Sequence, residues 1–320
     1  MTDPNARDVL LDVEHLSMHF GMKGRGHKKT VVKAVDDVSF IIYRLETFGL
    51  VGESGCGKTT IGRTILRLYN PTSGSIKLDG REISGKMTQE LRNYLTGNLT
   101  CIFQDPIDSL NPRMTVSEII GEGLKVRGVK DKREVERLVY DVLEKVGLTR
   151  KHAARYPHEF SGGQRQRIGI ARAIVVNPRM IIADEPVSAL DVSVQAQVIN
   201  LINDLKNEYG LTILFVAHNL SVVRYFSDRI GVMYYGKMVE IAPSEELYKH
   251  PLHPYTRALL SAIPEPNPLI RGKREIISYD PQTAHDYSKE QPEMMEIAPE
   301  HFIYASPGEV VRYQAELAKE

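Results

Sequence analysis

The stretch Thr47-Phe48-Gly49-Leu50-Val51-Gly52-Glu53-Ser54-Gly55-Cys56-Gly57-Lys58-Thr59-Thr60 decides the fold. Its first five residues are compact and apolar, which predicts a buried strand. From Thr59 the pattern predicts a helix to Tyr69, where Asn70-Pro71 stops it. Between them Gly52–Thr59 fills every fixed position of GxxxxGK[ST]. The glycines let backbone N–H groups wrap phosphates, Lys58 bridges the terminal ones, and the Thr59 hydroxyl is placed to ligate Mg2+. Strand, phosphate loop and helix in that order point to a nucleotide, without saying what its energy is for.

Outward from the loop the chain alternates. Residues 9–20 and 31–43 switch apolar with polar, predicting two half-buried antiparallel strands around a basic tip, MKGRGHKKT, whose plainest reading is a solvated hairpin end. Turn signals at 72–74 and 79–80 bracket a short strand, SIKL. From about Thr88 to Tyr156 the pattern is polar and helical, with VSEIIGEGLKV and EVERLVYDVLEKVGL as amphipathic stretches. Then Met180–Ala183 predicts a buried strand, Ser193–Tyr209 a helix and Leu211–Ala217 another buried strand, so a mostly parallel sheet covered on both faces is expected. Beyond about Tyr248 proline density marks a boundary, which divides the chain into residues 1–248, with a helical subdomain at about 88–178, and an appended module at 249–320.

Bulk composition narrows the class. Lys plus Arg equals Asp plus Glu at 41 each in 320 residues, so no global positive field argues for nucleic acid or attracts lipid. Two cysteines, Cys56 and Cys101, with no CxxC spacing fit a reducing compartment. The opening MTDPNARDVL is polar and does not read as a signal peptide, and no apolar run approaches the ~18 residues of a membrane span. Service to a membrane would have to go through another subunit.

Four further features carry chemistry. Asp184 and Glu185 follow the strand at 180–183. Two acids there commonly open a helix, but beside a phosphate loop the first suits a metal shell and the second a base for attacking water. Gln104 has a neutral amide able to touch metal-bound water, and His218 ends a buried strand where it could meet a γ-phosphate or orient water; each, alone, reads as ordinary structure. Ser188-Ala189-Leu190-Asp191 reads as a capped turn. Phe160-Ser161-Gly162-Gly163-Gln164, opening an apolar-periodic helix, presents free N–H groups and a hydroxyl to an anion but has no lysine. Taken by itself it is an ordinary cap and turn.

In this order and spacing, GESGCGKTT, FSGGQRQR, ADEP, SALD and the strand-end His218 resemble the ATP-binding cassette ATPases over about 240 residues. The resemblance implies a P-loop NTPase core of RecA-like α/β type, an antiparallel β subdomain, a helical subdomain insertion and a C-terminal accessory module. It implies ATP at Gly52–Thr60, with Lys58, Thr59 and Thr60 on phosphates and Mg2+, and Gln104 and Asp184 beside the metal. Glu185 is then the catalytic base, His218 the switch histidine, and Phe20 sits where the family stacks an aromatic on adenine, with His19 beside it competing. Ser161, Gly162, Gly163 and Gln164 would contact ATP on a partner cassette, identical or paralogous, so that ATP joins two subunits.

Residues 104–113, 156–167 and 250–260 (HPLHPYTRALL) are similar to the oligopeptide and dipeptide permease ATPases. This implies an importer for peptides or related solutes at the cytoplasmic face of a membrane, with two permease subunits and, indirectly, an extracytoplasmic solute-binding protein. The same subfamily includes oligosaccharide and nickel importers. Many relatives bind an iron–sulfur centre through cysteines after the HPY segment; no cysteine follows Cys101 here, so no cluster is expected. His250 and His253, hemmed by prolines, lack a third nearby ligand for a metal. Two other classes compete. A soluble cassette acting on nucleic acid or ribosomes is opposed by the neutral charge and by the lack of a coiled coil, and a P-loop kinase leaves the SGGQ run unexplained.

Overall fold

The computed structural model describes residues 7–23, 29–106, 108–218, 220–263, 277–285, 287–288 and 290–318; the basic tip at 24–28 and the proline-rich stretch after Ile263 lie outside them. The chain opens with β1 (Val9–Lys23) and β2 (Lys29–Tyr43), paired antiparallel with Leu11 opposite Ile42 and Val13 opposite Phe40. β3 (Thr47–Val51), wholly buried, feeds the phosphate loop and then α1 (Lys58–Ile65). The helix stops four residues short of Tyr69 because Arg67 turns left-handed (φ 59°), a conformation a helix cannot continue through. β4 (Ser73–Leu78) and β5 (Arg81–Glu82) complete a four-stranded antiparallel sheet in the order β2-β1-β4-β5.

Next come α2 (Gln89–Asn98) and β6 (Leu99–Ile102). β6 lies inside the segment whose pattern reads as helical; four residues are too few to show a period of two, and they pair in parallel with the strand that follows the helical subdomain. That subdomain contains α3 (Val116–Val126), α4 (Lys132–Lys145) and α5 (Gly162–Ile174). Thr115 and Glu118 box the start of α3, Asp131 caps α4, and Ser161 with Gln164 box α5, which satisfies N–H groups that a helix start otherwise leaves bare.

β7 (Met180–Asp184), α6 (Val192–Tyr209), β8 (Thr212–Val216), α7 (Leu220–Phe226), β9 (Arg229–Tyr234) and β10 (Lys237–Pro243) then alternate through the core. The last part holds α8 (Ser244–Lys249), α9 (Pro254–Ser261), α10 (Pro281–Ala284), the hairpin β11 (Glu293–Ala298) and β12 (His301–Ala305), and α11 (Pro307–Leu317). The hairpin extends the main sheet: its order is β11-β12-β10-β9-β3-β8-β7-β6, parallel from β6 to β9 and antiparallel beyond.

Alternate residues of the parallel strands enter opposite cores. Ile181, Ala183, Ile213 and Phe215 face one core, with α3, α4, α5 and α6. Met180, Ile182, Leu214 and Val216 join Leu11, Val13 and Ile76 of the antiparallel sheet in the other. Burial on both faces is why these strands read as solid apolar runs. A third, small core of Leu252, Ile303, Ala305 and Tyr313 is formed near the C-terminal end of the chain.

Candidate active site

The site lies where β3, β6, β7 and β8 end, at the carboxyl edge of the parallel sheet, the usual crevice for a ligand in such folds. A groove there is lined by Ala34, Ser54, Gly55, Gly57, Lys58, Thr59, Thr60, Gln104 and Glu185. Its floor is the turn Gly52–Gly57 leading into α1. Gly57 has φ 111°, and a Cβ on it would stand 2.1 Å from the Ala34 carbonyl oxygen; at Gly52 (φ 148°) it would stand 2.2 Å from the Met233 carbonyl oxygen. Only glycine lets the loop pass this close to its neighbours and still turn its N–H groups to a ligand. The loop is held from below by the Gly236 N–H donating to the Cys56 carbonyl at 2.9 Å.

Lys58 is folded back into its own loop. Its ammonium donates to the carbonyls of Gly52 (2.8 Å) and Glu53 (2.9 Å) and is 4% exposed as a residue. Phosphate oxygens are the natural replacement for those two acceptors.

Two side-chain groups converge on the groove. Thr59 Oγ1 donates to Asp184 Oδ1 at 2.9 Å; burial pushes the Asp184 carboxyl above the usual carboxylate range, partly offset by that bond and by the Arg63 and Lys58 charges. One residue on, Glu185 sits at φ 46°, a left-handed conformation costing a non-glycine residue about 1–3 kcal/mol, and its N–H donates to the Val216 carbonyl. This turn separates the neighbouring acids, one into the sheet end and the other over the groove. Gln104 Nε2 donates to Glu185 Oε2 at 3.0 Å, and His218 Nδ1 lies 3.4 Å from the same oxygen. Gln104, Glu185 and His218, from three strand ends, therefore share one carboxylate, while Thr59 and Asp184 meet each other.

Ser161, Gly162, Gly163 and Gln164 form the first turn of α5. Ser161 Oγ accepts from the Gln164 N–H at 3.4 Å and Gln164 Oε1 accepts from the Ser161 N–H at 3.0 Å. Ser161 and Gly162 are exposed, and none of the four lines the groove around Lys58. A Cβ on Gly163 would lie 2.7 Å from Val194 Cγ1, so this glycine also serves the packing of α5 on α6. Phe20, on β1, is part-buried and packs edge-on against Tyr69 at 5.4 Å. At the SALD turn Asp191 occupies the N-cap of α6 with no side-chain cap bond, while Ser188 Oγ donates to the Glu185 carbonyl at 3.1 Å.

One residue touching the loop has no motif of its own in the nucleotide core. Tyr255, the tyrosine of HPY, accepts a hydrogen bond at its hydroxyl from the Glu53 N–H at 3.1 Å. His253 is 1% exposed and serves as a cap: its Nδ1 accepts the Tyr255 N–H at 3.1 Å as the N-cap of α9, and Pro254 supplies the first helical residue; among the described residues it belongs to no group of three or more metal-ligating side chains.

Comparison with known proteins bears on the fold and the family. Residues 35–188 match the family model described as ABC transporter, and residues 239–289 match the oligopeptide/dipeptide transporter C-terminal region. The oligopeptide transport ATP-binding protein OppF of Bacillus subtilis (strain 168) is 54% identical over 303 residues, 94% of this chain and 98% of that protein. The dipeptide transport ATP-binding protein DppF of Lactococcus lactis subsp. cremoris (strain MG1363) is 50% identical over 317 residues, 98% of each. Among solved structures, the dimeric post-hydrolysis state of the ATP-binding cassette MJ0796 bound to ADP and Pi superposes with a TM-score of 0.66 at 27% identity, over 73% of this chain and 99% of that one. The fold, the groove and full-length similarity together place the chain: it belongs to the ABC transporter ATP-binding proteins, in the oligopeptide/dipeptide transporter subfamily.

Proposed function

We propose that this protein is the ATP-hydrolysing subunit of a membrane importer for oligopeptides or dipeptides. It works at the cytoplasmic face as one of two cassettes, against two permease subunits supplied by an extracytoplasmic solute-binding protein. The observation that carries the reading is the convergence of Gln104, Glu185 and His218 on one carboxylate beside the Lys58 loop, in a chain whose full-length relatives are named for peptide transport.

Lys58 exchanges the Gly52 and Glu53 carbonyls for the β- and γ-phosphates of ATP, and the N–H groups opening α1 face the same anion with the positive end of the helix. Glu185 takes the proton of the attacking water; Gln104 holds its carboxylate from one side, and His218 Nδ1 lies 3.4 Å from the same carboxylate, placed to orient that water. Mg2+ fits Thr59 and Asp184: a hydroxyl and a desolvated carboxylate oxygen 2.9 Å apart are hard donors of the kind it takes, and when bound it would neutralise phosphate charge. Phe20 offers its ring to adenine.

Ser161 and the glycines after it contact the nucleotide of the partner cassette. Supporting this, their turn is exposed, ends in a capped helix start and stands outside the groove that belongs to Lys58. ATP then closes two cassettes and hydrolysis lets them part, a two-state cycle able to drive a permease.

The test is uptake of a labelled peptide into vesicles carrying the whole transporter. ATP-dependent uptake that disappears with Glu185→Gln supports the reading; intact ATP hydrolysis with no peptide entering would overturn the cargo.

A further inference from the structure

We propose that Tyr255 is a positioning residue for the phosphate loop, through which the C-terminal module braces the ATP site. The proposal rests on Gly52–Thr60 being the nucleotide site and concerns what holds that loop while it works.

Glu53 is gripped at both of its peptide groups. Its carbonyl accepts from Lys58 at 2.9 Å and its N–H donates to the Tyr255 hydroxyl at 3.1 Å. When phosphates draw Lys58 away, the carbonyl keeps only the longer bond from the Cys56 N–H (3.3 Å), while the Tyr255 bond remains. Tyr255 is therefore the side-chain tether that still holds the Glu53 peptide in the state that matters for nucleotide binding, beside the backbone bond from Gly236 to Cys56.

Tyr255 is itself immobilised. It is 2% exposed, and its ring packs against Tyr234 at the end of β9 (4.5 Å) and Tyr279 of the module (5.4 Å), which also meet each other at 5.1 Å. Its backbone N–H donates to His253 Nδ1. The N–H groups of Leu252 and His253 donate to the two oxygens of Glu240 at 2.9 and 3.1 Å, and Glu240 Oε1 also lies 2.8 Å from His301 Nε2. Glu240 and His301 are both fully buried, on β10 and β12. A chain of hydrogen bonds, buried as far as the Tyr255 ring, thus runs from the C-terminal hairpin to the exposed phosphate-loop residue Glu53, with the Tyr255 hydroxyl as its last link.

Tyr255→Phe deletes only the hydroxyl and keeps the ring. In the full-length protein the Kd for MANT-ATP and the KM for ATP should rise together, about fivefold (~1 kcal/mol), because the variant removes the acceptor of the Glu53 N–H, and once Lys58 turns to the phosphates the Glu53 peptide has lost both of these side-chain contacts. The kcat should stay within about twofold, since no group at the reacting atoms is touched. Tyr313→Phe is the control. It removes another buried hydroxyl from the same module, one that accepts from Arg312 at 3.1 Å in the third core, and it should leave the Kd for MANT-ATP unchanged. An unchanged Kd in Tyr255→Phe overturns the proposal, and so does an equal rise in both variants, which would mean general loosening of the module. Lys58→Ala separates the premise from the proposal: if it still binds MANT-ATP normally, the loop is not the nucleotide site, whatever Tyr255 does.

Discussion

The groove around Lys58 and the joint between β10 and the C-terminal hairpin are both built from acids and histidines, yet they are held in opposite ways. Around the groove Glu185 stands in a left-handed turn, His218, 3.4 Å from its carboxylate, is 58% exposed at its side chain, and Asp184, bonded to Thr59, keeps a carboxyl that burial disfavours as an anion. In the joint Glu240 and His301 are 0% exposed, and the two Glu240 oxygens receive three donors. Groups that must exchange partners during a reaction are left strained or half-satisfied, whereas the Glu240 carboxylate, which fixes a surface, is sealed and paired, with only His301 Nδ1 beside it lacking a hydrogen bond. The same residue types thus serve chemistry in one place and architecture in the other, and each can be disturbed to see whether the division holds.

The largest effect should come from the groove. Glu185→Gln keeps the shape and the contact with Gln104 but cannot accept a proton, so ATP turnover should fall by about 10²–10⁴-fold while nucleotide binding persists and the closed dimer accumulates. Single-turnover hydrolysis and size-exclusion chromatography in ATP measure both; an unchanged rate removes Glu185 as the base. In the joint, Glu240→Ala leaves two backbone N–H groups and His301 Nε2 without their acceptor in a closed interior, and urea unfolding should show a loss of about 3–5 kcal/mol. A loss below about 1 kcal/mol, the value of an ordinary hydrogen bond, would show that the joint is not sealed as described.

The two regions also differed in how far residues announced them. The phosphate loop, the acids at 184–185 and the histidine at 218 are local signals: each needs only its own strand and the turn after it, and the structure brings them together because parallel strands end at one edge. Tyr255 gives no such signal, since its partner Glu53 is 202 positions away and the contact is made by one hydroxyl. Glu240, in KMVEIAP, has the appearance of an outward acid on an edge strand; only the pairing of β12 with β10 makes its position interior. β6 was hidden for a simpler reason, four residues being too few to display a period of two.

Acid should separate the regions by a moderate amount. Burial, with the neighbouring His285 and Arg257, drives the His253 imidazole from 6.5 down to about 3, and its Nδ1 is already committed to the Tyr255 N–H. Above pH 6.5 both folded and unfolded chains carry the neutral ring, and stability is unaffected by it. Below that the unfolded chain takes up a proton that the folded chain refuses, so stability falls as pH drops towards 3, by about 2 kcal/mol at pH 5. His253→Asn keeps a capping acceptor without an imidazole. The difference in unfolding free energy between pH 7 and pH 5 should shrink by that amount in the variant, and an identical pH dependence would contradict the burial of a neutral ring.

The smallest effect distinguishes a cap from a ligand contact. In the free chain Ser161 Oγ does no more than accept the Gln164 N–H at 3.4 Å, a long bond, so Ser161→Ala should cost no more than about 1 kcal/mol of stability. Nucleotide affinity at the chain's own Lys58 loop should be unaltered, because Ser161 does not line that groove. If the hydroxyl also meets the nucleotide of a partner cassette, ATP-dependent dimerisation should weaken by more than the cap is worth, and Ser161→Arg, which fills the turn, should block closure altogether. Analytical ultracentrifugation with ATP bound reads the two variants against each other. Dimerisation as strong as wild type in Ser161→Ala and Ser161→Arg would reduce the turn to a helix start, whereas loss of affinity in the isolated monomer would move Ser161 into the chain's own site.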